Sequence, residues 1–404
     1  MNAEVIPLQK NIAKLYAFSF LKMTLFPMAI ITLFWKDQIG LSLTDILLLQ
    51  AIFSIASILL EYPSGYISDR LGYRSALILA SLLAISGWSL YTLADSFTGV
   101  LLAEIVLGGA WAFISGSDSA LLFETLRAQN REELYARFDG RMTGCAQTGE
   151  AAGALFAGIM YAAWPLLPFV GQIVLWIVGL GLCLSLTEPE VEAEPVIHSH
   201  LAEALHTCRY AFLESRQVRA TILFGTILGI ASFYTVWLIQ PYMQLTGVPI
   251  AWFGPAWAGA NLTIALCSLI SHRLHFACGH RITAALFIAL IIAGYAGLSL
   301  TAWVWSFLFY YLLTAMRGLQ GPIMRNHLQQ ASRRSNRASI LSLGSLSFRV
   351  LFVATGPLVG LAADHLGLRP TFGILAVLFA VALLPSAWLF LKTLPKTSDK
   401  VTVS

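Results

Sequence analysis

Charged residues are scarce in this chain. Only 11% of its 404 residues are charged while 57% are hydrophobic, and a soluble domain carries about 25% charged residues. Too few charges remain to cover a water-facing surface, which excludes a soluble globular protein. Apolar residues instead form long runs, such as 75–93 and 282–305. Because a membrane-spanning helix needs about 20 mostly apolar residues, counting such runs predicts an all-α membrane protein with about twelve spans.

Several motifs of catalysis and nucleotide binding are also absent. The chain has no G-x4-G-K-S/T loop, no G-x-S-x-G turn and no His-x3-His pair. Without a phosphate-binding loop, energy is expected from a gradient rather than from ATP bound by this chain. The 5 cysteines are scattered and form no C-x-x-C pair, which indicates neither disulfides nor a metal site. We expect no enzyme activity, no cofactor and no metal; a membrane-embedded enzyme or sensor is the disfavoured alternative class.

Basic residues are distributed unevenly among the predicted loops. With both termini placed in the cytoplasm, the outer segments hold only Lys36 and Arg369. Lys22, Arg317 and Arg349 fall within spans, and every other Lys or Arg lies in an inner segment. This asymmetry agrees with the positive-inside rule and explains the net charge of +4 without a nucleic-acid partner. We predict a monomer in contact with membrane lipid, in a bacterial inner membrane, with both termini cytoplasmic.

A polar stretch near the middle divides the chain. It carries Glu188, Glu190, Glu192 and Glu194, and six predicted spans lie on either side. We therefore expect an N-terminal six-helix bundle over 1–187, a cytoplasmic linker over 188–216 and a C-terminal six-helix bundle over 217–404. Such a layout is typical of parallel repeats related by an axis along the membrane normal. The linker histidines His198, His200 and His206 are interpreted as solvated.

The loop between the second and third predicted spans has a specific pattern. Its sequence is Gly65-Tyr-Ile-Ser-Asp69-Arg70-Leu-Gly72-Tyr73-Arg74, in which Gly72 permits a tight reversal of the chain. The pattern resembles the loop signature of the major facilitator superfamily, G-x-x-x-D-R-x-G-R-K/R, with Tyr73 in place of a basic residue. The resemblance implies two pseudo-symmetric six-helix bundles that carry a small-molecule substrate by alternating access.

The same resemblance assigns a gating role to this loop, carried by Gly65, Asp69, Arg70, Gly72 and Arg74. In the family the loop holds the two halves together on the cytoplasmic side. A plain turn with basic residues that obey the positive-inside rule is the alternative. The equivalent loop in the second half, from Ser271 to Arg281, lacks the aspartate.

Acidic side chains inside spans are candidates for proton coupling. A charged group at the centre of a spanning helix costs about 2.5–3.5 kcal/mol on insertion scales, so it points to function. Glu150 and Asp118 are the first candidates, and Glu104 is a third. A Lys22–Glu150 ion pair that only holds two helices together is the structural alternative.

The basic side chains inside spans are candidates for a substrate cavity. Lys22, Arg317 and Arg349 are suited to an anionic group, and Trp111 and Tyr234 lie centrally enough to line the same cavity. Hydrogen bonding to backbone carbonyls, and packing for the two aromatics, are the alternatives.

Two functions remain open at this point. The favoured one is proton-coupled export of a small drug-like molecule or metabolite, and the other is proton-coupled uptake of a small organic anion. Two motifs of the family's drug antiporters are only partly kept: Glu104 stands where many members have arginine, and the fifth span has glycines without the usual proline.

Overall fold

A computed structural model of the chain describes residues 5–189, 208–332 and 337–394. These residues form α-helices connected by short turns. The helices run in the order α1 Val5–Met23, α2 Ile31–Asp37, α3 Leu43–Leu71, α4 Tyr73–Leu93, α5 Phe97–Ile114, α6 Ser117–Arg127, α7 Tyr135–Ala163, α8 Leu167–Ser185, α9 Arg216–Leu245, α10 Phe253–Leu300, α11 Tyr310–Ala331, α12 Arg337–Leu366 and α13 Leu368–Thr393.

Helix α10 contains two spans rather than one. Gly279 inside it has φ 72° and ψ 172°, which is not helical. Nδ1 of His275 nevertheless lies 3.1 Å from Oγ1 of Thr283, whereas eight residues of straight helix would separate them by about 12 Å. The chain therefore reverses direction at Gly279.

The span count agrees with the sequence. Within the described residues, 9 helical stretches are long and apolar enough to cross a membrane, and one of them is Ile250–Leu300, which contains both arms of α10. If the two arms of α10 are counted separately, the stretches number ten. The long but more polar helices α7 and α11 bring the set to the twelve spans expected. The prediction of an all-α membrane protein is confirmed.

Two spans of the first half are broken. Pro27 lies in a 3₁₀ turn, Phe26–Ala29, between α1 and α2, where it lacks the N–H that a continuous helix would use. Gly116, with φ 87°, separates α5 from α6. Breaks of this kind free backbone groups inside the membrane, and other side chains have to bond them.

The helices pack in an order that repeats between the halves. In the first half α1 packs on α7 and α8, and α4 packs on α5 and α8; in the second half α10 packs on α11 and α13. The halves meet along α3 with α12 and along α7 with α10. A Cβ atom on Gly254 of α10 would lie 2.2 Å from the carbonyl oxygen of Ala154 in α7, and one on Gly158 of α7 would lie 2.3 Å from the carbonyl oxygen of Ile250 just before α10. The α7–α10 contact thus depends on small residues, as in many membrane helix pairs.

The linker prediction falls mostly on residues 190–207, which lie outside the described part of the chain. The described end of this region is a helical turn, Tyr210–Glu214. Ser215 then caps α9, accepting a hydrogen bond from the backbone N–H of Val218 at 3.3 Å. The bundle boundaries at 187 and 217 stay predictions.

Candidate functional site: a cavity between the two halves

A cavity of about 520 Å³ lies between the halves of the molecule. Helices α2, α3, α4 and α5 line it from the first half, and α9 and α12 line it from the second. Its polar lining residues are Gln50, Ser54, Ser57, Glu104, Ser115 and Arg349. Its aromatic lining residues are Trp35, Phe53, Trp88, Trp111, Phe233, Trp237 and Phe348. An apolar wall with a few polar groups is the usual construction of a small-molecule site.

Glu104 is the acidic residue in the wall of this cavity. It is only 7% exposed, and the hydroxyl of Tyr91 donates a hydrogen bond to its Oε1. Tyr91 in turn stacks on Trp88 and on Phe169, with ring centroids 5.4 Å apart in both pairs. The carboxyl group is therefore held in a fixed position by a neutral donor, beside space that a solute can enter.

Two tryptophans close one end of the cavity. Trp35 of α2 and Trp237 of α9 are buried, and their rings stack with centroids 5.9 Å apart and planes 24° apart. We call the face of the molecule beyond this stack the sealed face, and the face at which α1 begins and α13 ends the terminal face.

Gln240, one turn beyond Trp237, binds backbone groups freed at the break between α1 and α2. Its Oε1 accepts hydrogen bonds from the N–H groups of Thr32 at 2.9 Å and Leu33 at 3.3 Å. Its Nε2 donates to the carbonyl oxygen of Met28 at 2.9 Å. This side chain, 2% exposed, joins the halves and satisfies groups that would otherwise be buried without partners.

Further hydrogen bonds join the halves at the sealed face. The carboxylate of Asp364 in α12 accepts from the N–H groups of Leu43 at 2.9 Å and Thr44 at 2.8 Å, at the N-terminus of α3. Nζ of Lys36 donates to Oε1 of Gln244 at 2.9 Å. These contacts hold the halves together at the sealed face, so we expect a solute to reach the cavity from the terminal face.

The acids expected first for proton coupling lie elsewhere. Asp118 forms an ion pair with Lys22, and the two side chains are 8% and 12% exposed. The suggested Lys22–Glu150 pair is therefore wrong. Glu150 instead accepts a hydrogen bond at 2.9 Å from Nδ2 of Asn261, across the α7–α10 contact between the halves.

The candidates for substrate contact separate into three places. Arg349 and Trp111 line the cavity. The guanidinium of Arg317 lies over the Phe233 ring, 5.8 Å from its centroid, just behind the cavity wall. Tyr234 faces a separate apolar groove of about 440 Å³ between α9, α12 and α13 and shares a hydrogen bond with Thr355.

The loop with the signature packs against the first half. Gly72 has φ 87°, and the N–H groups of Tyr73 and Arg74 donate to the carboxylate of Glu188 at 2.8 and 2.7 Å. Nη2 of Arg74 donates to the carbonyl oxygen of Leu184 at 2.8 Å. The loop thus fixes the start of α4 to the end of α8. Gly65 and Arg70 belong to α3, and the side chain of Asp69 lies outside the described part.

Sequence reasoning missed the residues that close the cavity. A tryptophan near the end of a span, such as Trp35 or Trp237, has the sequence signature of an interfacial aromatic belt, a role that suits the exposed Trp303 and Trp305. Sequence reasoning did not single out Gln240 or Gln50. A glutamine inside a predicted span is a usable signal, since its amide needs a partner there.

The fold and cavity define a class: a polytopic membrane protein whose two halves enclose a central binding space. A family model, the Major Facilitator Superfamily, matches residues 13–349. The chain belongs to this superfamily, which confirms the expectation from the loop motif. Membership of this family identifies it as a membrane transporter and not an enzyme.

Similar proteins agree with this assignment. The chain is 23% identical over 395 residues to the uncharacterized MFS-type transporter YxaM of Bacillus subtilis (strain 168), covering 91% of this chain and 93% of that one. Among solved structures it resembles the nucleoside transporter NupG, with a TM-score of 0.76, 11% identity and coverage of 95% and 98%. It also resembles a D-xylose-proton symporter, with a TM-score of 0.69, 14% identity and full coverage of both chains. At sequence identities this low, the similarity to these solved structures supports the fold alone.

Proposed function

We propose that this protein is a proton-coupled transporter that exports a small, planar aromatic molecule across a bacterial inner membrane. The observation that carries the proposal is Glu104, a buried carboxyl group in the wall of a cavity whose other large side chains are mostly aromatic. Aromatic rings favour flat solutes that stack on them or meet their edges. Among the described residues that line the cavity, only Glu104 has a carboxyl group, which can bind and release a proton beside the solute.

Glu104 is preferred here over Asp118 and Glu150 because of what each one bonds. The Asp118 carboxylate already has a cationic partner in Lys22, and Asp118 does not line the cavity. Glu150 holds Asn261 between the halves and suits a role in sensing their movement. Glu104 has a neutral hydroxyl partner and direct contact with the cavity.

Orientation follows from the basic loops. If the terminal face is cytoplasmic, as the positive-inside rule favours, then the cavity is open to the cytoplasm and closed to the outside. An exporter loads its solute in such a state. Alternating access would then open the sealed face by moving the α3–α12 and α7–α10 contacts.

Uptake of an organic anion is the second candidate. Arg349 lies in the cavity wall and Arg317 lies behind Phe233, so an entering carboxylate would meet at least one guanidinium group.

Purified protein in pyranine-loaded proteoliposomes tests the proposal. We expect ethidium, a planar aromatic cation, to move protons in the opposite direction, and gluconate, a non-aromatic anion whose acid form crosses lipid poorly, to move none. Glu104→Gln should reduce the ethidium-driven proton flux at least tenfold, because an amide cannot release a proton. The matched control is Glu124→Gln, which removes a carboxyl group that lies near Arg127 outside the cavity.

The alternatives give different results in the same assay. Proton movement with gluconate in the same direction as the anion favours uptake. Full ethidium-driven proton flux in Glu104→Gln rules out Glu104 as the coupling group. Solute flux that ignores an imposed pH gradient rules out proton coupling altogether.

A further inference from the structure

Three histidines from two helices meet at the terminal face of the second half. His275 and His280 lie on either side of the reversal at Gly279, and His327 lies near the end of α11. One ring nitrogen of each lies within 4.8 Å of a ring nitrogen of both others. His275 and His280 are partly exposed and His327 is 4% exposed.

The hydrogen bonds of Thr283 determine which nitrogen of His275 is free. The Thr283 hydroxyl has one proton, and it donates this proton to the carbonyl oxygen of Gly279 at 2.8 Å. Its oxygen can then only accept at the 3.1 Å contact with Nδ1 of His275. Nδ1 therefore carries the hydrogen, and Nε2 of His275 keeps its lone pair.

The other two histidines also have unused nitrogens. Nδ1 of His280 and Nε2 of His327 are buried and have no hydrogen-bond partner in the described part of the chain. A buried polar atom without a partner costs about 1–3 kcal/mol. Two such nitrogen atoms in one cluster indicate that the cluster binds a ligand in addition to the protein groups around it.

We propose that His275, His280 and His327 form a binding site for a divalent transition-metal ion of the zinc class. Three imidazoles are a common ligand set for zinc, with Zn–N bonds of about 2.0–2.1 Å. Tetrahedral bonds of that length put the nitrogens about 3.4 Å apart, so ring rotation has to close a gap of about 1.4 Å. The partly exposed rings of His275 and His280 are free to make this movement and also leave an entry path from solvent.

The environment of the cluster supports metal over packing alone. The Thr283 hydroxyl oxygen accepts a hydrogen bond from Nδ1 of His275, and such a bond is what usually orients a metal-bound imidazole. The ring of Phe390 packs edge-on against His327, with centroids 5.2 Å apart, and shields that side. Imidazole ligands suit zinc, copper and nickel but not the hard ions magnesium and calcium.

The turn at Gly279 has a counterpart in the first half, the turn at Gly72, which is stabilised in a different way. Gly72 and Gly279 have similar backbone angles, φ 87° with ψ 150° and φ 72° with ψ 172°, and both reverse the chain at the terminal face. At Gly72 the turn is held by the carboxylate of Glu188. At Gly279 the metal ion would hold the turn by joining both arms of α10 to α11. All three ligands belong to the second half, so the ion would stiffen that half without linking it to the first.

The test uses full-length protein in lipid nanodiscs, purified without a polyhistidine tag and treated with EDTA. We expect added Zn²⁺ to raise the thermal unfolding midpoint, since a ligand selective for the folded state stabilises it. Zinc retained after desalting should amount to about one ion per chain. His275→Gln and His280→Gln should each lose both effects, whereas the control His272→Gln, exposed and three residues away, should keep them. Cys278→Ser should also keep them, which excludes a thiolate ligand.

A second measurement does not depend on any variant folding. Co²⁺ added to the wild-type protein should give the strong visible absorption of a tetrahedral site, and Zn²⁺ should remove it by displacement. The proposal is overturned if the wild type binds neither ion. It is also overturned if His275→Gln and His280→Gln bind zinc as tightly as the wild type, because the ion would then be held elsewhere, for example by the linker histidines.

Discussion

At the scale of single residues, the membrane-buried charges have different kinds of partner. Lys22 neutralises Asp118, Glu150 bonds the amide of Asn261, and Glu104 bonds the hydroxyl of Tyr91. The sequence places all of these charges inside spans, so their unusual character could be predicted. Which residues pair could not, because Glu150 and Asp118 both lie at depths that Lys22 can reach. Only the packing of α1 against α6 in the folded protein brings Lys22 to Asp118.

The Lys22–Asp118 pair is expected to contribute to stability only as a pair. Lys22→Met would leave a buried carboxylate without its cation, and breaking a buried pair costs about 3–5 kcal/mol. We expect the free energy of unfolding in detergent micelles to fall by that amount. The double variant Lys22→Met/Asp118→Leu removes both charges and should recover most of the loss. Equal stability of the single variant and the wild type would show that the pair is replaced by water or lipid contacts.

At the scale of helices, breaks and close contacts decide how the spans meet. Hydropathy predicts where spans lie because a run of apolar residues has few other solutions in a bilayer. It does not predict that Gln240 bonds the break after α1, since those residues are more than 200 positions apart. Sequence also does not identify the tryptophans of the sealed face. A tryptophan at the membrane interface and a tryptophan between the two halves both lie near the end of a span, so their sequence patterns are the same.

The α7–α10 contact should respond to a single added side chain. A Cβ atom on Gly158 would lie 2.3 Å from the Ile250 carbonyl oxygen, so Gly158→Val should push the halves apart at the sealed face. A cysteine placed at Ser54 in the cavity, with the five native cysteines removed, should then react several-fold faster with an impermeant maleimide added outside intact cells.

Gly181→Val is the matched control for this helix contact. A Cβ atom on Gly181 meets no described atom within 4 Å, so the labelling rate should stay at the wild-type value. An unchanged rate in Gly158→Val, with the protein still folded by size-exclusion chromatography, would mean that this contact does not hold the face closed.

At the scale of the whole molecule, two halves enclose a cavity that is closed at one face. The span count, the family and the two-half layout follow from composition, loop charges and one motif. The position of the cavity and the side chains that seal it do not, because they arise from contacts between distant helices. The central claim is that the molecule alternates between two states. In one state the halves are closed at the sealed face and apart at the terminal face, and in the other state the reverse holds, as alternating access requires.

Electron–electron distance measurements on spin-labelled protein in nanodiscs test this claim most directly. One label pair, Gln38 and Leu245, spans the sealed face, and another, Arg131 and Arg273, spans the terminal face; all four residues are exposed. Between pH 8 and pH 5.5, with and without ethidium, we expect each pair to show two distances. The sealed-face distance should lengthen in the population whose terminal-face distance shortens. One unchanging distance for each pair under all of these conditions would contradict the account.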